Sequence, residues 1–205
     1  MSKGGKKARN SYKTGDRFNK AAKEEGYRAR SVFKLSEAQR RFRPLAQGQR
    51  VLDLGCAPGS WSRYAKEVVG GRGTVVGLDL QHVPSLAGVT LLEADVFEVT
   101  AEALMEVLGG PADVVLSDMA PNTIGDRFGD HVRQLEVARR ALEVATQVLK
   151  PGGNFVCKVF EGEEAQDFAA EVKARFDTVK RLRPEAVRRT SVEFFIVALG
   201  FRPEP

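Results

Sequence analysis

The sequence predicts an α/β fold, a mostly parallel sheet with helices on both of its faces. Three observations favour this fold class. Short β-branched, apolar segments alternate along the chain with segments of helical periodicity. The first of these apolar segments runs directly into a glycine-rich turn. The chain has 205 residues, 42% of them hydrophobic, which suits one compact domain with a sizeable core.

The first elements are a helix, a strand and a second helix. Residues 31–42 predict the first helix, because their apolar side chains share one face and Pro44 follows the end. Residues 50–55 form an apolar segment that ends in glycine, which predicts a buried strand and a turn. Residues 60–69 then predict a helix that the glycines of 70–73 end.

Strands and helices continue to alternate through the middle of the chain. Residues 74–80 and 89–95 are β-branched, mostly apolar segments and predict two further strands. A helix is predicted over 100–108, a strand over 112–119 and a long helix over 130–149. This alternation indicates parallel strands joined by helical crossovers.

The last part of the chain has a different pattern. The sequence Lys150-Pro151-Gly152-Gly153 ends the long helix, and a strand over 153–160 and a helix over 163–176 follow. Residues 178–184 and 191–201 then predict two strands joined by a short basic loop. These two strands should form an antiparallel pair.

Positive charge is concentrated near the N-terminus. The sequence pI is about 9.3, and residues 1–30 hold ten Lys and Arg but three Asp and Glu. Tyr12, Phe18 and Tyr27 lie among these cations and are suited to stacking on unpaired bases. We therefore expect residues 1–28 to be a flexible, RNA-binding arm and residues 29–205 to be the folded domain. The same charges also suit a solubilising tail.

Other classes of protein are disfavoured. No apolar segment approaches the roughly 18 residues needed to span a membrane, and no secretory signal is visible. Cys56 and Cys157 lie in apolar segments without the spacing of metal ligands, as in a reduced cytosolic protein. We expect a cytoplasmic monomer that does not require a metal or a membrane.

The segment LDLGCAPGSW, residues 52–61, predicts a cofactor-binding turn. Doubly wound folds bind nucleotide-like ligands at the turn after the first strand, where Gly55 and Gly59 allow close approach of the backbone. Pro58 and the G-x-x-x-G spacing depart from the dinucleotide pattern. Asp53 would repel a diphosphate but attract a cation. S-adenosylmethionine, with its sulfonium and ammonium groups, therefore fits this turn better than NAD.

Acidic residues also end the next two strands. Asp79 ends the second strand, where a carboxylate commonly receives a ribose diol. Asp95 ends the third strand and is placed to accept a hydrogen bond from an adenine amino group, with Val96 beside the ring. One such residue is a weak signal, but three at successive strand ends predict an adenosine-containing cofactor.

The fourth strand ends in SDMAPN, residues 117–122. Amino-group methyltransferases carry two prolines and an aromatic residue here, and the aromatic ring stacks on the target base. This loop has Asp118 and Pro121 but no aromatic residue. The loop therefore argues against methylation of a base nitrogen.

Three charged residues interrupt apolar patterns elsewhere. Lys158 lies within FVCKVFEGE, Glu193 within SVEFFIVALG and Lys34 on the first helix. Lysine is almost never buried unless it is paired. Lys158 is either a snorkelling residue at a strand end or an amine that desolvation and a neighbouring cation turn into a base.

Together these segments resemble the FtsJ family of ribose 2′-O-methyltransferases, particularly its bacterial large-subunit rRNA branch. The resemblance lies in RSVFKL, LDLGCAPGSW, SDMAPN, CKVF and SVEFFIVALG, and it covers nearly all of residues 10–203. It implies a catalytic tetrad of Lys34, Asp118, Lys158 and Glu193. It also implies S-adenosylmethionine contacts from Gly59, Trp61, Asp79, Asp95 and Asp118.

The resemblance further implies a Rossmann-like S-adenosylmethionine-dependent methyltransferase fold, with seven strands and the last one antiparallel beside the fifth. Two positions depart from the family pattern. Ser60 replaces a glycine of the cofactor turn and is suited to be the N-cap of the next helix. Val192 replaces an arginine that often precedes the glutamate.

The expected reaction is methyl transfer from S-adenosylmethionine to a ribose 2′-hydroxyl of 23S rRNA within the large subunit, at a uridine of the peptidyl-transferase region. S-adenosylhomocysteine is the other product. Lys158 would act as base or orient the hydroxyl, Asp118 would position it, Lys34 would hold the substrate and Glu193 would balance the charge. Phosphate contacts are expected from the arm and from Arg181, Arg183, Arg188 and Arg189.

Three alternatives remain open on the sequence. A 2′-O-methyltransferase of tRNA or capped mRNA would share the tetrad. A non-enzymatic ribosome-assembly factor on the same fold would need the arm but not the buried charges at Lys158 and Glu193. An NAD-dependent oxidoreductase would explain Asp79 and the parallel sheet but not Pro58, Asp53 or the basic arm.

Overall fold

Seven strands form one sheet in the computed structural model, which describes residues 17–121, 127–162, 164–187 and 191–203. The strands are β1 (Arg50–Leu54), β2 (Thr74–Asp79), β3 (Thr90–Glu93), β4 (Ala112–Ser117), β5 (Leu149–Phe160), β6 (Phe176–Leu182) and β7 (Glu193–Phe201). The helices are α1 (17–24), α2 (Val32–Phe42), α3 (Ser60–Val69), α4 (Ala101–Leu108), α5 (Arg127–Val148) and α6 (Ala165–Arg175).

The strand order is β3-β2-β1-β4-β5-β7-β6. β1 to β5 run parallel, while β7 runs antiparallel to both of its neighbours, β5 and β6. The predicted fold class is therefore confirmed, including the antiparallel last strand beside the fifth.

Strand alternation divides the core into two layers. Leu52, Val76, Val115 and Cys157 pack with α4, α5 and α6 on one side, here called the α4–α6 face. Their neighbours in sequence point the other way: Val51, Val75, Val114 and Val156 pack with α2 and α3 on the α2–α3 face. Because successive side chains of a strand point to opposite faces, this period of two gives the sheet helices on both sides.

β5 differs most from its predicted bounds. It begins at Leu149, directly after α5, and not at Gly153. Leu149 pairs with Ala112 and Asn154 with Val114, so the Lys150–Gly153 segment bulges out of the ladder between these pairs. Because of this bulge, α5 can end at Val148 and β5 can begin at the next residue without a separate loop.

Part of the basic arm is packed against the domain. Residues 17–24 are helical, and Ala22 and Tyr27 are buried. The Tyr27 hydroxyl donates to Glu67 of α3, and the Arg63 guanidinium lies 4.7 Å from the Tyr27 ring centre. Residues 17–28 thus contact the domain through Ala22 and Tyr27. Residues 1–16, including Tyr12, lie outside the described residues.

Both cysteines are buried and unpaired. Burial raises the pKa of the Cys56 and Cys157 thiols to about 12, so both stay protonated. Within the described part of the chain, no helix is long and apolar enough to cross a membrane.

Candidate active site

The carboxyl ends of the central strands meet at one edge of the sheet. Leu54 at the end of β1 pairs with Leu78 of β2 and with Ser117 of β4. Asp79 pairs with Glu93 of β3, and Asp95 follows two residues later. The register therefore brings the cofactor turn, Asp79, Asp95 and Asp118 to the same edge, where α/β sheets bind their ligands.

The cofactor turn is tied to the second strand by hydrogen bonds. The Gly55 and Cys56 N–H groups donate to the Leu78 carbonyl at 2.8 and 3.1 Å. The Asp79 carboxylate accepts the Ala57 N–H at 2.8 Å through Oδ2 and the Gln81 N–H at 2.8 Å through Oδ1. These bonds fix the carboxylate, and each of its oxygens keeps a lone pair for a ligand.

Asp95 and Val96 lie on a loop that is held from α5. Asp95 Oδ1 accepts the Phe97 N–H at 2.9 Å, and Val96 is buried. Arg140 donates to the Val96 carbonyl at 2.8 Å and to the Val99 carbonyl at 3.2 Å. Arg140 is a loop anchor that the sequence did not predict, because its partners are backbone groups distant in sequence.

Asp53 and Trp61 are buried beneath the turn. The Asp53 side chain is fully buried, and its Oδ2 accepts the Ser62 hydroxyl at 2.5 Å. Desolvation raises the Asp53 pKa to about 7, although the Ser62 hydrogen bond opposes the shift. The Trp61 indole N–H donates to the Ser31 carbonyl at 2.8 Å, and its ring packs 5.6 Å from that of Phe195. The Trp61 backbone lies in the first turn of α3, where N–H groups lack helical partners.

The segment before α2 is hydrogen-bonded to the cofactor turn. Arg28 donates to the carbonyls of Pro58 at 3.1 Å and of Pro84 at 3.0 Å, and so joins two loops of the edge. Ser60 Oγ accepts the Ala29 N–H at 2.8 Å. The N-cap of α3 is Gly59, so the prediction that Ser60 is the N-cap was wrong. The left-handed conformation of Gly59, at φ 101°, moves the helix start one residue earlier.

The four residues of the expected tetrad converge on one another. Asp118 Oδ1 lies 3.1 Å from Lys158 Nζ and 3.6 Å from Lys34 Nζ, and Lys34 Nζ lies 2.7 Å from Glu193 Oε1. Lys158 Nζ also donates to the Asp118 carbonyl. All four side chains are between 7% and 16% exposed. Two cations and two anions thus compensate one another in a largely desolvated cluster.

Strand alternation explains this convergence. Lys158 lies between Cys157 and Val159, which face α4–α6, so its own side chain faces α2 and α3. Glu193 shares that face with Phe195, two residues along β7. α2 lies over this face and places Lys34 Nζ 5.4 Å from the Phe195 ring centre. Asp118 follows β4 directly at the open edge of the same layer.

The predicted phosphate-binding loop is described in part. Arg181 pairs with Glu161 and lies 3.8 Å from the Phe194 ring centre, and Arg183 donates to the Ser191 carbonyl at 2.6 Å. Both arginines remain about half exposed, at 56% and 49%. Arg188, Arg189 and the Asn122 end of the SDMAPN loop lie outside the described residues.

No group of three His, Cys, Asp or Glu side chains suited to a metal ion occurs among the described residues. The charged atoms of the tetrad are two ammonium groups and two carboxylates, which neutralise each other. The cluster can therefore orient a hydroxyl group and exchange a proton with it.

Comparison with known proteins agrees with this architecture. A chain from Desulfosudis oleivorans named ribosomal RNA large subunit methyltransferase E is 49% identical over 92% of this chain and 91% of its own length. A protein of the same name from Sorangium cellulosum is 46% identical over 94% of this chain and 91% of its own length. A solved structure from Plasmodium falciparum, described as a ribosomal RNA methyltransferase, superposes with a TM-score of 0.79 at 24% identity, covering 87% of this chain and 100% of that one.

The sheet order and the carboxylates beside the glycine turn fit an α/β methyltransferase. The FtsJ-like methyltransferase model matches residues 27–201, and the chain belongs to that family. The NAD-dependent oxidoreductase alternative is thereby excluded.

Proposed function

We propose that this protein transfers a methyl group from S-adenosylmethionine to a ribose 2′-hydroxyl of 23S rRNA, acting as a monomer on the large ribosomal subunit. The observation that carries the proposal is the convergence of Lys34, Asp118, Lys158 and Glu193 at the open edge beside the cofactor turn. The names of the relatives support ribosomal RNA of the large subunit as the substrate class.

The residues at the edge fit S-adenosylmethionine. Asp79, already fixed by two backbone N–H groups, would receive the ribose diol, and Asp95 with Val96 would hold the adenine. Asp53 Oδ1 accepts no hydrogen bond from the described residues, and a nearby cationic ligand would favour its ionised form. Gly55, Pro58, Gly59 and the backbone of Trp61 would line the turn. S-adenosylmethionine supplies an electrophilic methyl group when bound and leaves as S-adenosylhomocysteine.

The tetrad residues have distinct roles in this proposal. Lys158 is the least exposed of the four side chains, at 7%, and would hold the 2′-hydroxyl. In its neutral amine form it would take the hydroxyl proton while the oxygen–methyl bond forms and the sulfur–methyl bond breaks. Asp118 fixes Lys158 through both its carboxylate and its carbonyl. Lys34 and Glu193 hold the ribose from the α2 side and keep the cluster neutral. Such alignment can remove roughly 7–11 kcal/mol from a barrier.

RNA would be held mainly through its phosphates. The basic residues of the arm, with Arg181 and Arg183, supply positive charge without a base-reading motif. Sequence selection would then come from the surrounding ribosomal particle, with a uridine of the peptidyl-transferase region as the expected target.

The proposal is tested by methyl transfer from labelled S-adenosylmethionine to undermethylated large subunits, followed by digestion to nucleosides. Label in a 2′-O-methyluridine supports it. Label on a base would contradict the assigned reaction. Transfer to tRNA or capped RNA but not to subunits would overturn the substrate, and cofactor binding without transfer to any RNA would favour an assembly factor.

Gly55→Ala is expected to weaken cofactor binding and to lower the free energy of unfolding. Gly55 has φ 73°, and an added Cβ would lie 2.3 Å from Met119 Cγ and 3.0 Å from Met119 Cα, beside Asp118. The conformational penalty is about 1–2 kcal/mol, and overpacking adds about 1–3 kcal/mol. Thermal unfolding and a titration with S-adenosylmethionine measure the two effects.

Gly48→Ala is the matched control for this substitution. Gly48 has a similar φ of 78°, but no atom lies within 4 Å of the added Cβ. The Gly48→Ala variant should lose only the conformational contribution to the free energy of unfolding. It should bind the cofactor with wild-type affinity. Equal cofactor affinity in the two variants would show that the Gly55–Met119 contact does not shape the site.

A further inference from the structure

β5 extends beyond its parallel neighbour at the point where it carries Lys158. The last pair of the β4–β5 ladder joins Ser117 to Cys157. β5 continues to Phe160, paired on its other side with β7, where Phe195 is opposite Lys158 and Glu193 is opposite Phe160. The catalytic end of β5 therefore has a strand on one side only.

A glutamine of α5 takes the place of the missing strand. Gln134 Nε2 donates to the Lys158 carbonyl at 2.7 Å, and its Oε1 accepts the Phe160 N–H at 2.9 Å. One side-chain amide thus makes the pair of bonds that a continued parallel strand would make. The Gln134 side chain is fully buried, at 0% exposure.

The two hydrogen bonds hold the backbone beside two members of the tetrad, Lys158 and Glu193. The first holds the backbone of Lys158 itself. The second holds Phe160, which is opposite Glu193 in the β5–β7 ladder. Gln134 belongs to the α4–α6 side and reaches the strand backbone, whereas the Lys158 side chain faces α2 and α3. It therefore influences the tetrad through the position of the strand.

We propose that Gln134 is a positioning residue for methyl transfer. By holding the backbone of β5, it fixes where Lys158 and Glu193 lie relative to Asp118. The inference rests on the proposed function. A misplacement of about 1 Å costs on the order of 10²-fold in rate. Burying an amide without partners is unfavourable, so both of its bonds are needed in the folded state.

The chain offers a matched control in the middle of the same strand. Asn154 Nδ2 donates to the Pro44 carbonyl at 2.8 Å, and its Oδ1 accepts the Gly200 N–H at 3.2 Å. This amide also makes one donor and one acceptor bond to backbone groups, but in the middle of β5, four residues before Lys158. Its loss should lower stability without moving Lys158.

The experiment compares Gln134→Met and Asn154→Leu, each an apolar replacement of similar shape, in the labelled-subunit assay. Gln134→Met should lower kcat by between about tenfold and 10²-fold, with KM for subunits and Kd for S-adenosylmethionine near wild type. Asn154→Leu should lower Tm and leave kcat unchanged. If Gln134→Met does not fold, Gln134→Asn keeps the polarity, is one methylene too short and should show the same kcat loss.

The outcomes separate this inference from the proposed function. An inactive wild type with bound cofactor would count against the function itself. An active wild type with unchanged kcat in the Gln134 variants would overturn the positioning role. Equal kcat losses in the Gln134 and Asn154 variants would show that any weakening of β5 is sufficient, which also overturns it.

Discussion

Lys158→Ala is expected to abolish methyl transfer while cofactor binding stays intact. A positioned base contributes about 10²–10⁴-fold to a rate, and Lys158 is the amine that Asp118 holds with both its carboxylate and its carbonyl. Apart from Asp118, the expected cofactor residues lie on β1 and β2, on the loops that follow β1 to β3 and at the start of α3, away from Lys158. S-adenosylmethionine should therefore bind with near wild-type Kd. Single-turnover transfer and calorimetric titration measure the two quantities.

Lys150→Ala provides the control for the Lys158 variant. Lys150 is on the same strand, but its side chain is 52% exposed and pairs with Asp113 at the far end. This variant should retain wild-type turnover. Near wild-type transfer by Lys158→Ala would remove Lys158 from the mechanism, whereas joint loss of transfer and cofactor binding would indicate a collapsed site.

Asp118→Asn is expected to lower both stability and turnover. The substitution preserves shape but leaves two largely buried ammonium groups, at 3.1 and 3.6 Å, without their shared anion. Removing one partner of a buried ion pair typically destabilises by about 3–5 kcal/mol. Turnover should fall on the order of 10²-fold, because Lys158 loses the group that orients it. Chemical denaturation and the transfer assay give the two values.

Two further variants, a surface control and a double substitution, test whether the effect of Asp118→Asn comes from buried charge. Asp177→Asn removes an exposed partner of Arg202 at 3.4 Å and should change the free energy of unfolding by less than about 1 kcal/mol. Adding Lys158→Met to Asp118→Asn should recover part of the lost stability, since it removes the buried cation whose carboxylate partner was lost. It should not recover turnover. A stability loss at Asp118 no larger than at Asp177 would contradict the buried-charge argument.

Much of the site could be predicted because it depends on strand ends and on alternation. Once β5 and β7 are recognised as strands, the position of Lys158 between apolar neighbours and the charge at Glu193 are already anomalous. The order of strands adds that both lie near β4, which ends at Asp118. What the sequence could not provide was the distances between the side chains, or the contact of Lys34 with the Phe195 ring beside them.

The anchors of the site were not predictable for a physical reason. Gln134 and Arg140 are ordinary polar residues of a long helix, and their partners are backbone groups about 24 and 44 residues away. Backbone groups have no sequence signature, so such bonds become visible only when the fold is known. The same holds for Arg28, which joins the Pro58 and Pro84 loops.

The place of β7 in the sheet determines when the catalytic half can form. β7 is the last strand in chain order, yet it lies between β5 and β6. As the chain leaves the ribosome, β1 to β5 can pair in turn, but β5 keeps an open edge until β7 emerges. Until then the nascent chain already holds Asp79, Asp95 and the glycine turn, but it lacks Glu193 and the backbone partner of Lys158. The half of the sheet that carries the glycine turn can therefore form before β7 is available, whereas the half that carries Lys158 and Glu193 requires β7.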